Sequence, residues 1–297
     1  MKCDLCPRKC LVDRKKGEKG ICGQTENLKV ARAALHFWEE PCISGDAGSG
    51  AVFFSGCPLH CVFCQNENIA NGTVGKEISL ERLVDIFLEL QEKRANNINL
   101  VTPGHFVPQI VKALDQARKE GLTLPVVYNT SSYETVDTIK MLEGYVDIYL
   151  PDFKYMSPVL SKKYSHAPDY AEVAKAAIAE MVRQTGKAVF VNGEEDNLIL
   201  SGTIVRHLTL PGCMADSKQI LKYLHDTYGD MIYISIMNQF TPLSNLEKYP
   251  ELNRRITDEE YETLVDYAIE IGIENGFIQE GNTAEESFIP AFDCEGV

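Results

Sequence analysis

Three cysteines, Cys57, Cys61 and Cys64, fall within eight residues of the stretch FFSGCPLHCVFCQN (53–66), directly after an apolar run. A closed tetrahedral thiolate site takes four ligands. A compact CxxxCxxC loop with a glycine ahead of it, Gly56 here, can instead hold three irons of a cubane cluster and leave the fourth iron open. Cys42, upstream of the loop, could close a four-thiolate zinc site, although structural zinc usually uses paired two-residue spacings. A second group, Cys3, Cys6, Cys10 and Cys22, reads CxxCxxxC followed by GICG and suits a metal site of its own. Zinc and an auxiliary iron–sulfur cluster are both compatible with it, zinc slightly better by spacing. Cys42, Cys213 and Cys294 are scattered and fit small buried hydrophobes. Ten cysteines in a chain whose amino terminus, MKCDLCPRKC, has no apolar signal region point to metal or redox chemistry in a reducing, cytoplasmic setting rather than to disulfides.

Such ligands need a rigid frame, and the chain supplies a repeated one. AVFFS (51–55), INLVT (98–102), LPVVYN (124–129), VDIYL (146–150), IVRHLTL (204–210) and MIYISI (231–236) are short runs rich in β-branched and aromatic residues, as expected of buried parallel strands. Amphipathic helical patterns lie between them. SLERLVDIFLELQEKR places Leu83, Ile86, Phe87 and Leu90 on one face, while VPQIVKALDQARKEG and DYAEVAKAAIAEMVRQTG each end on glycine. Thr257 and Glu260 form a capping box for a last helix. Alternating β and α elements imply an α/β fold with a parallel sheet, and six units predict a partial (β/α)6 barrel. KAVFVNGEEDNLIL reads as a hairpin inserted between the fourth and fifth units. The expected division is a cysteine-rich metal-binding extension over 1–45 and the barrel with its carboxy-terminal helix over 46–297.

In such sheets ligands gather at the carboxyl ends of the strands. The cysteine loop follows the first strand, TPGH (102–105) the second, Asn129 and Thr130 the third, Asp152 and Lys154 the fourth, and Asn238 and Gln239 the sixth. Arg206 lies within the fifth strand. Asp152, Lys154 and Arg206 could also form an ordinary ion pair at the barrel rim.

Composition narrows the function classes. Lys and Arg total 29 against 43 Asp and Glu, a net charge of −14 that disfavours nucleic acid as a partner. No apolar stretch is long enough to span a bilayer. The first twenty residues run the other way: seven basic residues, Lys2, Arg8, Lys9, Arg14, Lys15, Lys16 and Lys19, face three acidic ones. That patch could dock an acidic partner or simply offset nearby thiolates.

The segment GCPLHCVFCQN resembles the signature of the radical S-adenosylmethionine (SAM) superfamily, in which an aromatic residue, here Phe63, precedes the third cysteine. The whole chain resembles the pyruvate formate-lyase activating enzymes, and most closely a branch of homologues that begins with a segment like CDLCPRKC and carries HFWEEPCISG, NLVTP, LPDFKY and VRHLTLPG. The resemblance implies that Cys57, Cys61 and Cys64 hold a 4Fe-4S cluster whose open iron is chelated by SAM. Phe63 would lie beside the adenine, and Asn66 matches the asparagine after the third cysteine. Asp152 and Lys154 match a DxK motif, Val205, Arg206 and Leu210 a VRxxxV motif, and Asn129 and Thr130 fall near the expected SAM carboxylate and a monovalent cation. A carboxylate needs a cationic partner, which Arg206 or Lys154 can supply. One departure concerns the second strand, which usually ends in GGE and here reads Thr102, Pro103, Gly104, His105. Gly104 can still permit close approach, whereas a histidine in a turn is more commonly polar surface.

The implied reaction is reductive cleavage of SAM to a 5′-deoxyadenosyl radical, fed by a low-potential donor such as flavodoxin or ferredoxin. Three functions remain open at this point: activation of a glycyl radical enzyme by hydrogen abstraction from a glycine, modification of a small molecule or another peptide, and a zinc-dependent binding module.

Overall fold

The computed structural model describes residues 2–193, 197–242, 246–279 and 290–297. In chain order its strands are β1 (Leu28–His36), β2 (Ser49–Phe54), β3 (Lys76–Ile78), β4 (Ile98–Val101), β5 (Val126–Thr130), β6 (Ile148–Pro151), β7 (Val189–Phe190), β8 (Ile199–Leu208), β9 (Tyr233–Met237) and β10 (Gly276–Ile278). They pair in the order β10-β9-β8-β6-β5-β4-β2-β1-β3, with β7 added to β8. Every pairing from β2 to β10 along that path is parallel. The six predicted runs are β2, β4, β5, β6, β8 and β9, and the chain is an α/β protein with a mostly parallel, open sheet. Residues of β2, β4, β5 and β6 are buried throughout, which is why their sequences run apolar without strict alternation.

Helices cover the outer face. The helix Leu80–Glu92 is capped by the Ser79 side chain, which accepts the Arg82 N–H, and it buries Leu83, Val84, Ile86, Phe87 and Leu90 against the sheet. Helices Val107–Lys119 and Tyr170–Thr185 do the same, and the Thr257–Glu260 capping box opens the helix Asp258–Glu270. The expected hairpin exists as β7 paired antiparallel to the start of β8, while residues 194–196 at its tip lie outside the described residues.

Two features depart from the sequence pattern. β1 pairs antiparallel with β2 and with β3, so the main sheet already includes residues on the amino-terminal side of position 45. The following helix, Pro41–Ser44, then folds under the barrel. Cys42 and Ile43 pack on Val127, Ile148, Leu150 and Ile204, and the Asn96 and Asn97 side chains donate to the Ser44 and Ile43 carbonyls at 2.6 and 2.8 Å. This plug closes the amino-terminal end of the barrel and carries Glu39 and Glu40 into its interior. Cys42 is buried in that plug, as a small hydrophobe would be, and its thiol is pushed up to about 12 by burial. Cys213 and Cys294 are only half-buried.

Candidate active site

Strand register sets the polar floor of the site. Val101 of β4 pairs with Asn129, Asp152 bridges to Arg206 just past the end of β6, and Arg206 pairs with Ser235. Arg206 donates through Nε to Asp152 at 2.9 Å, through Nη1 to Glu39 at 2.9 Å and through Nη2 to Asn129 at 2.7 Å. Lys154 Nζ donates to the other Asp152 oxygen at 2.6 Å. Glu39 in turn accepts from Asn99 and Asn129 at 3.2 and 3.1 Å.

Burial alone would push the Asp152 carboxyl up, but the Arg206 and Lys154 charges hold it below the ordinary range. Burial would likewise pull the Lys154 ammonium down, yet Asp152 and Cys61 hold it up. Arg206 keeps its charge in the same way, stabilised by Asp152 and Glu39. All three nitrogens of Arg206 are thus engaged within the protein. Lys154 uses one donor on Asp152 and is the better placed of the two to meet a ligand carboxylate.

The cysteine loop hangs over this floor. Gly56 enters it at φ +93°, a left-handed conformation that favours glycine, and a Cβ added there would collide with the Cys22 carbonyl oxygen. Cys61 Sγ accepts from Ser165 Oγ at 2.9 Å, and Ser165 is held by the Tyr155 hydroxyl at 2.8 Å. Phe63 is buried edge-on against Phe240. Burial pushes the Cys57 thiol up to about 11 and raises Cys61 and Cys64, while the Lys154 charge opposes this in each case. Three half-buried cysteines beside one lysine, their thiols raised by desolvation, need further positive charge before they can ionise, and that is what iron would supply.

One cavity of ≈ 1310 Å³ gathers these groups. Its wall includes Cys57, Cys61, Cys64, Phe63, Asn66, Asn129, Thr130, Asp152, Lys154 and Arg206, which sequence reasoning singled out. Gly104 is not in that wall. It starts the turn Gly104–Phe106 and packs on the Glu134 carboxyl, which burial pushes up to about 7. From the TPGH stretch it is Thr102, at φ +55°, that reaches the cavity. His105 is not polar surface either: it is 4% exposed, its Nε2 pairs with the Ser55 carbonyl at 2.7 Å, and burial pulls its pKa down to about 3.

Sequence reasoning missed Glu39, Glu40, Trp38 and Ser235, which also line the cavity. The motif HFWEEPCISG contained three of them, and adjacent carboxylates before a proline were the available signal. Glu40 is buried, its carboxyl is pushed up by burial, and among the described residues its Oε2 has no hydrogen-bond partner.

Cys3, Cys6, Cys10 and Cys22 form a compact segment beside the loop, outside the cavity wall. Cys3 N–H donates to Val12 and accepts at its carbonyl from Leu11, both at 2.9 Å, and the Ile21 N–H points to Cys10 Sγ at 3.3 Å. Among the described residues no three His, Cys, Asp or Glu side chains converge closely enough to share one metal ion. A cubane places each thiolate on a different iron, so the loop cysteines are compatible with a cluster on these terms.

Residues 51–201 match the family model of the radical SAM superfamily. The chain belongs to the radical SAM superfamily. Membership brings a 4Fe-4S cluster and SAM as cofactors, and the three thiols, the spare donors of Lys154 and the size of the cavity fit that pair. The chain is 28% identical over 273 residues to an uncharacterised protein of Methanocaldococcus jannaschii, covering 90% of this chain and 74% of that protein. Among solved structures it is similar to methylornithine synthase (PylB; TM-score 0.52, 14% identity, 75% of this chain and 60% of that one). It is similar also to HydG, a maturase of the [FeFe]-hydrogenase (TM-score 0.51, 15% identity, 78% and 52%). A third is Streptococcus suis SuiB bound to its precursor peptide SuiA (TM-score 0.51, 11% identity, 76% and 47%). The chain therefore spans roughly half the length of these structures, and the likeness concerns the shared fold. Among the described residues no helix is long and apolar enough to cross a membrane.

Proposed function

We propose that this radical SAM enzyme is an activase that abstracts a hydrogen atom from a glycine of a partner glycyl radical enzyme. In this reading Cys57, Cys61 and Cys64 hold the cluster, and Lys154, positioned by Asp152, meets the SAM carboxylate. Phe63, Asn66 and Thr130 line the cofactor's side of the cavity. Cluster and SAM together supply one-electron reductive cleavage of the sulfonium, which provides the radical for hydrogen abstraction. The protein's own part is to orient and to exclude water: Arg206 locks Asp152, Glu39 and Asn129 into one rigid floor, and Phe63 and Phe240 wall the site with apolar surface.

The observation that carries this reading is one cavity of ≈ 1310 Å³ that joins the cysteine loop to the buried ionic floor. Its volume exceeds the roughly 300–1,000 Å³ common for one small ligand. Trp38 and Phe37, both at least half exposed, lie along its rim and offer apolar surface to an incoming polypeptide segment. The resemblance to the activating enzymes supports the glycine target. The test is anaerobic reconstitution with iron and sulfide, reduction with SAM, and electron paramagnetic resonance of candidate partners. A glycyl radical on a partner supports the activase.

A second reading, modification of a small polar molecule, draws on Glu40, which lines the cavity and whose buried Oε2 has no hydrogen-bond partner among the described residues. Deoxyadenosine release that rises with one metabolite and with no protein would favour it. Membership in an enzyme superfamily sets both readings above a zinc-binding module.

A further inference from the structure

The amino-terminal cysteines are separate from the cavity, yet they touch the loop that bounds it. Leu11 and Val12 pair with Cys3, so Cys3 and Cys10 lie on adjacent segments of a small hairpin whose turn is closed by Lys9 N–H donating to the Cys6 carbonyl at 3.0 Å. Gly20 packs on Cys10 Sγ, where a Cβ would come within 3.1 Å, and the next residue donates its N–H to the same sulfur. Cys22 follows directly and is 7% exposed. The four thiols are therefore gathered by backbone pairing, although no three share a single-ion geometry among the described residues.

The segment is also fastened to the catalytic loop at several points. The Cys22 carbonyl abuts Gly56, the residue before Cys57, and His60 Nε2 pairs with the Ile21 carbonyl at 2.7 Å. Arg8 Nε donates to the Pro58 carbonyl at 2.9 Å, and its guanidinium stands over the Tyr133 ring. The buried Gln24 side chain packs between Gly56 and Gly72, and among the described residues its Nε2 has no hydrogen-bond partner. On the outer side Lys2, Lys9, Lys15, Lys16 and Lys19 are exposed, whereas Arg8 and Arg14 turn inward. Arg14 donates to the His105 and Thr25 carbonyls.

We propose that Cys3, Cys6, Cys10 and Cys22 hold an iron–sulfur cluster that relays single electrons from a small acidic low-potential carrier, of the flavodoxin or ferredoxin type, to the cluster on Cys57, Cys61 and Cys64. A cluster gives each of the four thiolates its own iron, so the set does not have to converge on a single ion. The carrier, docked on the exposed lysines, loses one electron and the amino-terminal cluster gains it. That cluster then returns to its oxidised form as the loop cluster is reduced, with no bond made or broken and no proton moved. The direct contacts of Ile21 and Cys22 with His60 and Gly56 make the path short. The destination of the electron rests on the proposed reading of the loop, but the second cluster does not.

The test begins with the unmutated holoenzyme, reconstituted anaerobically and analysed for iron, sulfide and zinc. About eight irons and eight sulfides per chain are expected, and about four irons, with or without zinc, would overturn the proposal. The triple variant C57A/C61A/C64A should keep about four irons, and C3S/C6S/C10S the other four or so together with a spectral response to SAM. If C57A/C61A/C64A loses no iron, the reading of the loop fails while the amino-terminal site stands. In C3S/C6S/C10S, reduction of the loop cluster by reduced flavodoxin should slow by about tenfold or more, whereas reduction by dithionite, which needs no docking face, should change little. An unchanged flavodoxin rate would refute the relay.

Discussion

Replacing Arg206 by methionine removes the group on which the floor of the site is built. The guanidinium is 14% exposed and its three nitrogens each hold a partner, two of them carboxylates that are themselves at most 15% exposed. Without it Glu39 and Asp152 remain buried with only Lys154 as a counter-charge. Breaking a buried ion pair by deleting one partner costs about 3–5 kcal/mol, because the surviving charge stays desolvated. At roughly 2–4 °C per kcal/mol for a chain of this size class, the iron-free variant should melt roughly 6–20 °C lower. The pairing itself is isolated by a double-mutant cycle with Glu39→Gln, which removes one carboxylate charge and keeps the shape. If R206M fails by stranding Glu39, the two changes should couple by about 1 kcal/mol or more, the double variant being less damaged than the sum. Thermal or urea unfolding of the four proteins measures this. A loss below about 1 kcal/mol for R206M, or strictly additive losses, would refute the account of Arg206 as the keystone of a desolvated network.

Lys154→Met should weaken SAM binding to the reconstituted enzyme by about tenfold to a hundredfold, the worth of a charge-assisted hydrogen bond, as read by titration of the cluster spectrum with SAM. Gly56→Ala should destabilise the chain by about 1–2 kcal/mol or more, since alanine resists the left-handed backbone and meets the Cys22 carbonyl, and it should impair the iron content of both cysteine sets. His105 and His207 are buried and neutral, with pKa values pulled down by burial to about 3 and about 4. The unfolded chain therefore binds more protons below the ordinary histidine value of about 6.5. Their stabilising contribution is full above that value and falls as pH drops through the window down to their folded values, so urea stability at pH 5 should be lower than at pH 7, and His105→Gln should flatten the difference.

The amino-acid sequence was sufficient for the elements with dense local signals. Six apolar β-branched runs became six adjoining parallel strands, because a strand buried on both faces must be apolar at every position and little else in a soluble chain is. Glycine stops and the Thr257–Glu260 box marked helix ends for equally local reasons. The spacing of Cys57, Cys61 and Cys64 set them together on one loop before any geometry was known, and the structure puts all three in the wall of one cavity, because residues so close in sequence share one short loop. β1 was not legible: LKVARAALH is alanine-rich and carries Lys29 and Arg32, and its place comes from antiparallel pairing with β2 and β3.

The buried partners of the site were decided only by tertiary structure. Glu39 meets Arg206 across 167 positions of sequence, because the plug Pro41–Ser44 turns back under the barrel and is held there by Asn96 and Asn97. Gly104, by its position after the second strand, belonged with the cofactor, yet the turn it starts directs it onto Glu134 and gives the cavity to Thr102 instead. His105 shows the same limit: its surroundings, Ser55, Arg14 and Phe106, are assembled largely from distant segments, and the resulting desolvation sets its charge. Residue type and spacing specify which ligands a segment can offer. Which charges those ligands meet depends on long-range packing, because the cost of burying a charge is fixed by whatever the rest of the chain brings beside it.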